Sequence, residues 1–318
     1  MDFSVNNLNN EMRSHCVKIV IAGGTGLVGR KMVDKLIADG HTVFVLSRSE
    51  EKIISSNLTY LKWDPEKWQI PVAEIDGCDA IINLAGANIN DQKWDASFKR
   101  IIVDSRIFST RCLVKACEKM AKRPKTFISA SAVGFFGDAG EKSCVEDSPK
   151  GTGFLPDLCE SWEREASRAQ DLGIRTVIAR LGVVLSKDGG ALAQMLPIFR
   201  WGLGGTLGNG KQFMSWIHID DVVKALDWFL NRDKISGTFN VTAPSPVSNK
   251  EFTKTLGDVL KRPTFMFVPK FALKKKLGEM SQVVLSGQKV LPQKCMRFGF
   301  QFSYPNLHSA LMQILKNS

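Results

Sequence analysis

Ile19-Val20-Ile21-Ala22-Gly23-Gly24-Thr25-Gly26-Leu27-Val28-Gly29 is a β-branched strand running straight into a glycine-rich turn. Gly23, Gly26 and Gly29 have the spacing at which such a turn must be tight, let backbone approach a pyrophosphate, and let the following helix pack closely on its strand. A helix beginning near Leu27 would point its free N–H groups and positive dipole end at the phosphates. The stretch predicts a bound dinucleotide and says nothing of its use.

Strand and helix patterns alternate outward from this turn. Lys18–Ala22 reads as the first strand, and Val28, Met32, Val33, Leu36 and Ile37 mark one face of the helix after it. Gly40 stops that helix, and Thr42–Leu46 reads as the second strand. Further strands are expected at 60–63, 79–84, 125–131 and 175–181, with helices over 94–119 and 155–172. Alternation of this kind predicts an α/β fold, a doubly wound parallel sheet of the Rossmann type. Residues 201–216 hold five glycines and read as a mobile loop, a lid or a linker. Phe239–Val241 returns to strand. From Ser248 the pattern is helical, with Phe252, Leu256, Val259 and Leu260 on one face of a helix that Ser248 or Asn249 could cap. Leu307, Ala310, Leu311, Ile314 and Leu315 line a last helix. The expected organisation is a polar tail at 1–16, a nucleotide-binding domain at 17–245 and a small, mainly helical C-terminal domain at 246–318.

The 318 residues are 44% hydrophobic and 24% charged, as in a soluble globular protein. Neither a secretory signal nor a membrane-length apolar run is present, so a cytoplasmic location is expected. The seven cysteines are scattered without a Cys-x-x-Cys pair, which points to free thiols and no metal site. The net charge of +11 is uneven: residues 250–318 hold 12 Lys/Arg against 3 Asp/Glu. A solvated surface is the favoured reading of that tail, with no nucleic-acid and no membrane partner expected. The aromatic residues are not interleaved with the charges in the stacking manner that single-strand binders need.

The tip of the second strand decides which dinucleotide fits. An acidic residue there would bond a ribose 2′-hydroxyl, whereas a basic one accommodates a 2′-phosphate. The strand ends Val45-Leu46-Ser47-Arg48. Arg48 can pair with a phosphate and Ser47 can donate one more bond, so NADP(H) is predicted over NAD(H). The competing reading makes Arg48 a surface charge and gives the ribose to Glu50 or Glu51.

The turn, Asn83-Leu84-Ala85-Gly86, Ser129-Ala130-Ser131-Ala132-Val133-Gly134 and Trp216-Ile217-His218-Ile219-Asp220-Asp221 together resemble the extended and atypical short-chain dehydrogenase/reductase superfamily. Ala85-Gly86-Ala87-Asn88-Ile89, Trp162-Glu163, Gly189-Gly190-Ala191, Gly202-Leu203-Gly204-Gly205, Gly278-Glu279-Met280, Gly287 to Pro292 and Tyr304-Pro305 are similar to its "epimerase family protein" branch. That branch is itself similar to nucleoside-diphosphate-sugar epimerases. The resemblance covers nearly all of residues 17–316. It implies cofactor contacts at Gly23, Thr25, Gly26, Leu27, Val28 and Gly29, at Ser47 and Arg48, at Leu84, Ala85 and Gly86, at Arg106, and at Val184. Arg106 also has a physical rationale, since a helical Arg beside the sheet end can reach a phosphate; an exposed helix charge is the equal alternative.

The superfamily usually protonates a carbonyl with a Tyr activated by a Lys four residues on, one helical face carrying both. Only Tyr60 and Tyr304 exist here, followed at that spacing by Asp64 and His308. Aligning Trp162-Glu163 with the superfamily helix puts Leu158 at the Tyr position and Trp162 at the Lys position. The Ser-Tyr-Lys mechanism is therefore excluded. Ser131 matches the superfamily serine and is the one candidate catalytic residue carried over, with a strand-end hydroxyl bonded to backbone as its alternative. Asp138, Cys159, Glu163 and His218 are alternative proton donors, His218 being the more readily structural. Phe135 and Phe136 can stack but cannot donate a proton. Trp201, Met214 and Trp216 are candidate pocket walls or core. Lys211 or the basic tail would attract an anionic small-molecule substrate. Two functions follow: an NADP(H)-dependent, epimerase-like oxidoreductase of atypical mechanism, or a non-catalytic NADP(H)-binding sensor. The oligomeric state is left open.

Overall fold

The computed structural model describes residues 16–49 and 52–316. Most of the polar tail expected at 1–16, and both Glu50 and Glu51, lie outside them. The centre is an eight-stranded sheet: β1 (Lys18–Ala22), β2 (Thr42–Ser47), β3 (Lys52–Ser55), β4 (Leu58–Lys62), β5 (Ala80–Asn83), β6 (Thr126–Ala132), β7 (Arg175–Leu181) and β8 (Gly237–Val241). Their spatial order is β8-β7-β6-β5-β1-β2-β4-β3. Only β3, on the edge, runs antiparallel. The chain leaves β1 to one side and returns on the other at β5, so the strand order reverses there. Crevices at such reversals, outside the carboxyl ends of the strands, are where open α/β sheets hold ligands.

Alternate residues explain why both faces are covered. Ile19, Ile21, Val43, Val45, Ile82 and Val177 point to one face, where α1 (Leu27–Ala38) and the helix Ile219–Leu230 bury Met32, Leu36, Val222, Leu226 and Phe229. Val20, Ala22, Leu46, Ile81, Phe127 and Ile178 point to the other, against α2 (Ala96–Lys119) and α3 (Phe154–Ser167). A parallel sheet buried on both sides needs such continuous apolar strands.

The glycine-rich stretch at 201–216 differs from expectation. Gly205–Leu207 pairs with Met266–Val268, Phe213–Met214 with Val247–Ser248, and Trp216–His218 with Val183–Leu185. Its glycines serve close approach rather than mobility: a Cβ on Gly205 would lie 2.1 Å from the Met266 carbonyl oxygen. The C-terminal region is helical. Ser248 caps the helix Asn249–Leu260 by accepting from the Glu251 N–H at 3.1 Å. The helix Leu307–Leu315 shares a core with Phe252 and Leu256, and also with Leu185, Leu192, Phe199 and Trp216. Residues 289–300 return to the sheet, where Lys289–Val290 pairs with Ser143–Cys144 and Cys295 and Phe300 pack in the β-sheet core. Among the described residues no helix is long and apolar enough to cross a membrane, and no His/Cys/Asp/Glu group could hold a metal ion.

Candidate active site at the carboxyl ends of the strands

The sheet register brings Ala22 beside both Leu46 and Asn83, so the ends of β1, β2 and β5 lie side by side. Here the three glycines do different work. Gly23 has φ +79°, and a Cβ there would sit 2.6 Å from the Leu84 carbonyl carbon. A Cβ on Gly29 would sit 2.1 Å from the Gly23 oxygen. Gly26 has an ordinary φ of −77°, and its Cβ would meet only the Gly23 oxygen, at 3.3 Å. Internal packing thus demands glycine at 23 and 29, while the exposed side of Gly26 and Thr25 faces open space. Gly26 is also the N-cap of α1, which has neither a side-chain cap nor an acidic residue in its first turn. Its first N–H groups are left for an anion.

The other residues implied as cofactor contacts gather around this turn. Leu84 and Ala85 back Gly23, and Leu27 reaches Gly189 and Gly190, whose Cβ would lie 3.4 Å from the Val184 oxygen. Val28 packs into the core. Ser47 is buried, its Oγ accepts from the Ser49 N–H at 3.1 Å and donates to no acceptor of the described residues; Arg48 is exposed at the strand tip. Arg106 lies beside Gly86, 3.1 Å from that residue's Cβ position. It donates to the carbonyls of Ile102 and Ala87, both at 3.0 Å, and makes no ion pair with a carboxylate of the described residues. Burial pushes its pKa down to about 10, so it stays charged at neutral pH. A partly buried cation without a carboxylate, three of its five N–H donors unspent, fits an anionic ligand.

Deeper in the crevice the polar side chains are paired with one another. Leu158 and Trp162 are buried. Trp162 Nε1 donates to Thr110 Oγ1 at 2.9 Å, which also accepts from Asn83 Nδ2 at 2.9 Å, and the Arg106 guanidinium lies 5.3 Å from the Trp162 ring. The indole thus links α3, α2 and β5. Ser131 Oγ donates to Glu163 Oε1 at 2.6 Å. The same carboxylate receives Arg180 Nε at 2.7 Å and Nη2 at 2.8 Å, and Arg180 stacks 3.5 Å from the Phe135 ring centroid. The Ser131 proton is therefore committed to a buried carboxylate rather than to backbone.

The remaining candidate donors are likewise engaged. Burial pushes the Cys159 thiol up to about 12, the Glu163 charge adding to the effect. Asp138 Oδ1 accepts from the Gly287 N–H at 3.3 Å, pinning the C-terminal segment. His218 is buried in the core: its Nδ1 accepts from the Asp220 N–H at 3.0 Å, capping the helix that follows, so Nε2 carries the proton and donates to Gln313 Oε1 at 2.7 Å. Asp221, wholly buried, accepts from the N–H groups of Ser303 and Tyr304. The Trp216–Asp221 motif is thus a clasp between the sheet and the C-terminal helices. The three residues read as pocket walls or core do not converge: Trp216 is core, Met214 packs beside it, and Trp201 is 83% exposed. Sequence reasoning missed Arg180. The available signal was a charge inside the apolar strand Thr176-Val177-Ile178-Ala179-Arg180-Leu181, which demands a buried partner.

Burial holds the His218 pKa below its ordinary value. The unfolded chain then binds the proton more readily, so the stability His218 confers is intact above about pH 6.5 and lost as pH falls through that value. Asn at this position still caps and does not titrate. Melting curves between pH 7.5 and 5.5 should fall less steeply for His218→Asn than for wild type; parallel curves would remove His218 from the acid response.

Residues 19–242 match the model of the NAD dependent epimerase/dehydratase family, and residues 268–314 match a domain of unknown function, DUF1731. "Epimerase family protein YfhF" of Bacillus subtilis is 40% identical over 300 residues, covering 94% of this chain and 98% of the relative. "Epimerase family protein SDR39U1 homolog, chloroplastic" of Arabidopsis thaliana is 40% identical over 307 residues, covering 94% and 86%. The crystal structure of human epimerase family protein SDR39U1 (isoform 2) with NADPH superposes with a TM-score of 0.84 at 33% identity, covering 95% of this chain and all of that one.

Proposed function

The chain belongs to the NAD dependent epimerase/dehydratase family, and from that premise we propose that it binds NADP(H) at the Gly23–Gly29 turn and carries out hydride transfer without a tyrosine–lysine pair. The observation that carries the reading is the open space before Gly26, whose φ is ordinary and whose Cβ position has one close neighbour, the Gly23 oxygen at 3.3 Å. The free N–H groups of α1 would hold the pyrophosphate, and Ser47 and Arg48 the 2′-phosphate. Arg106 would balance charge along the crevice, with Leu84, Ala85, Gly86 and Val184 as its walls. The NADPH named with the human relative supports the phosphorylated form. When bound, the cofactor supplies the hydride. This chain's own part is to orient it against the apolar wall of Leu158 and Trp162. Ser131 can accept a hydrogen bond from a substrate but has no proton to give, so the proton for a small carbonyl substrate would come from solvent.

A second reading, a non-catalytic NADP(H) sensor, is favoured by the commitment of Ser131 to Glu163. Turnover of NADPH with a panel of carbonyls, quinones and nucleotide sugars separates the two; tight binding with no consumption across the panel selects the sensor.

Titration of NADPH and NADH against wild type and Arg48→Ala tests the cofactor. Wild type should prefer NADPH, and the variant should lose about 1.5–3 kcal/mol, roughly ten- to a hundredfold, for NADPH alone. Equal wild-type affinity for both cofactors would refute the phosphate assignment.

A further inference from the structure

Far from the crevice, the end of the helix Gly190–Arg200 and the segment 261–276 form one surface. Gly205–Leu207 pairs with Met266–Val268, and the Gly202 Cβ position lies 3.5 Å from Pro263. Ile198, Trp201, Leu203, Phe265, Phe267 and Phe271 are exposed on it, Phe265 to 80% and Phe271 to 75%. Trp201 and Phe265 flank a depression of about 450 Å³ that Arg200 and Arg262 also line. Single exposed hydrophobic residues are ordinary, but six on two segments that pair with each other are not. Within these two segments the charge is of one sign, and Asp258 and Glu279 flank the second of them. Residues 189–219 and 259–278 contain no Asp or Glu. Arg200, Lys261, Arg262, Lys270 and the run Lys274-Lys275-Lys276 supply seven cations.

We propose that this surface docks the protein on an anionic lipid bilayer. Protruding Trp and Phe side chains beside aliphatic ones, bordered by lysines and arginines, are what an acidic bilayer surface recognises: the rings and Ile198 and Leu203 enter the headgroup–acyl boundary while the cations meet the phosphates. A second copy of the chain would bring seven cations against seven. A nucleic acid would use the rings for stacking but has no use for Ile198 and Leu203. The proposal departs from the sequence expectation of a merely solvated tail. Phe265, Phe267 and Phe271 alternate with Lys261, Arg262, Lys270 and Lys274 in sequence, and the fold adds Trp201, some sixty residues away, beside Phe265.

The test is co-sedimentation of the full chain at low salt with vesicles of phosphatidylcholine alone or of equal parts phosphatidylcholine and phosphatidylglycerol. Binding to the anionic vesicles should exceed binding to the neutral ones by about tenfold or more. The triple variant Lys274→Glu, Lys275→Glu, Lys276→Glu should lose that excess. Trp201→Ser with Phe265→Ser should lower it by about tenfold, with circular dichroism and melting temperature unchanged because both side chains are solvent-exposed. Absence of vesicle binding by wild type, or full binding by both variants, overturns the proposal. So does tighter binding to a single-stranded oligonucleotide than to vesicles. A wild-type dimer in light scattering that the Trp201/Phe265 variant abolishes would assign the surface to a second copy instead.

Discussion

Replacing Glu163 with alanine should lower the unfolding free energy by about 3–5 kcal/mol, read from urea denaturation with an unchanged slope. Arg180 is 4% exposed on β7 and spends its bidentate face on that carboxylate. Without it, the guanidinium keeps only the Glu146 carbonyl at 3.2 Å and the Phe135 and Phe136 rings. Neither offsets a buried charge. Arg180→Met should cost a similar amount, for then Glu163 is the uncompensated ion. The double variant Glu163→Met, Arg180→Met removes both charges and should recover most of the loss, because apolar replacement of a buried pair is often neutral. A Glu163→Ala loss below about 0.5 kcal/mol, in the range of an ordinary surface substitution, would show that the pair is not buried as described.

This pair ties Ser131, the residue that matches the superfamily serine, into the packing of the sheet end. Ser131 sits opposite Arg180 in the β6–β7 register, and Glu163 reaches both from α3. The helix that would present an acid and its activator presents Leu158 and Trp162 to the crevice and uses its next residue to fasten the sheet end. Rigidity is gained where a reductase needs a mobile proton. The same geometry makes Glu163→Ala informative about function, since it frees the Ser131 hydroxyl. A gain of NADPH turnover in that variant would mean that the network suppresses chemistry.

Much of this was legible in the sequence because it rests on local rules. The β7 range Arg175–Leu181 is as the β-branched run implied, and Ser248 caps as its place before a helical face required. The turn at 23–29 was legible for the same reason, since tight turns and close approach are satisfied by few residues. Pairings distant in sequence were not legible. The glycines of 202–210 read as freedom, yet Gly205 and Gly210 are glycine because Met266 and Thr206 crowd them. Glu163 read as one of several alternative proton donors, because nothing near it in sequence announces Arg180 or Ser131. His218 was ambiguous until Gln313, 95 residues away, came within 2.7 Å.

The contrast between Gly26 and Gly29 gives the other large expected effect, and it separates folding from binding at the turn. At Gly29 an added methyl would lie 2.1 Å from the Gly23 oxygen and 2.7 Å from the Gly24 Cα, both backbone atoms that cannot rotate away. Gly29→Ala must push α1 off β1, so it should cost about 1–3 kcal/mol or more of stability and weaken cofactor binding only as a consequence. At Gly26 the backbone is extended, with φ −77° and ψ 177°, a conformation that β-branched residues favour, and the one near atom is 3.3 Å away. Gly26→Val should therefore melt within a few degrees of wild type. Its side chain would nevertheless stand in front of the α1 N–H groups, and NADPH affinity should fall more than about a hundredfold, or about 2.7 kcal/mol. Melting curves and NADPH titrations of the two variants should thus rank them in opposite orders. NADPH bound normally by Gly26→Val would place the cofactor elsewhere. If Gly29→Ala lost NADPH without losing stability, the packing role assigned to Gly29 would be wrong.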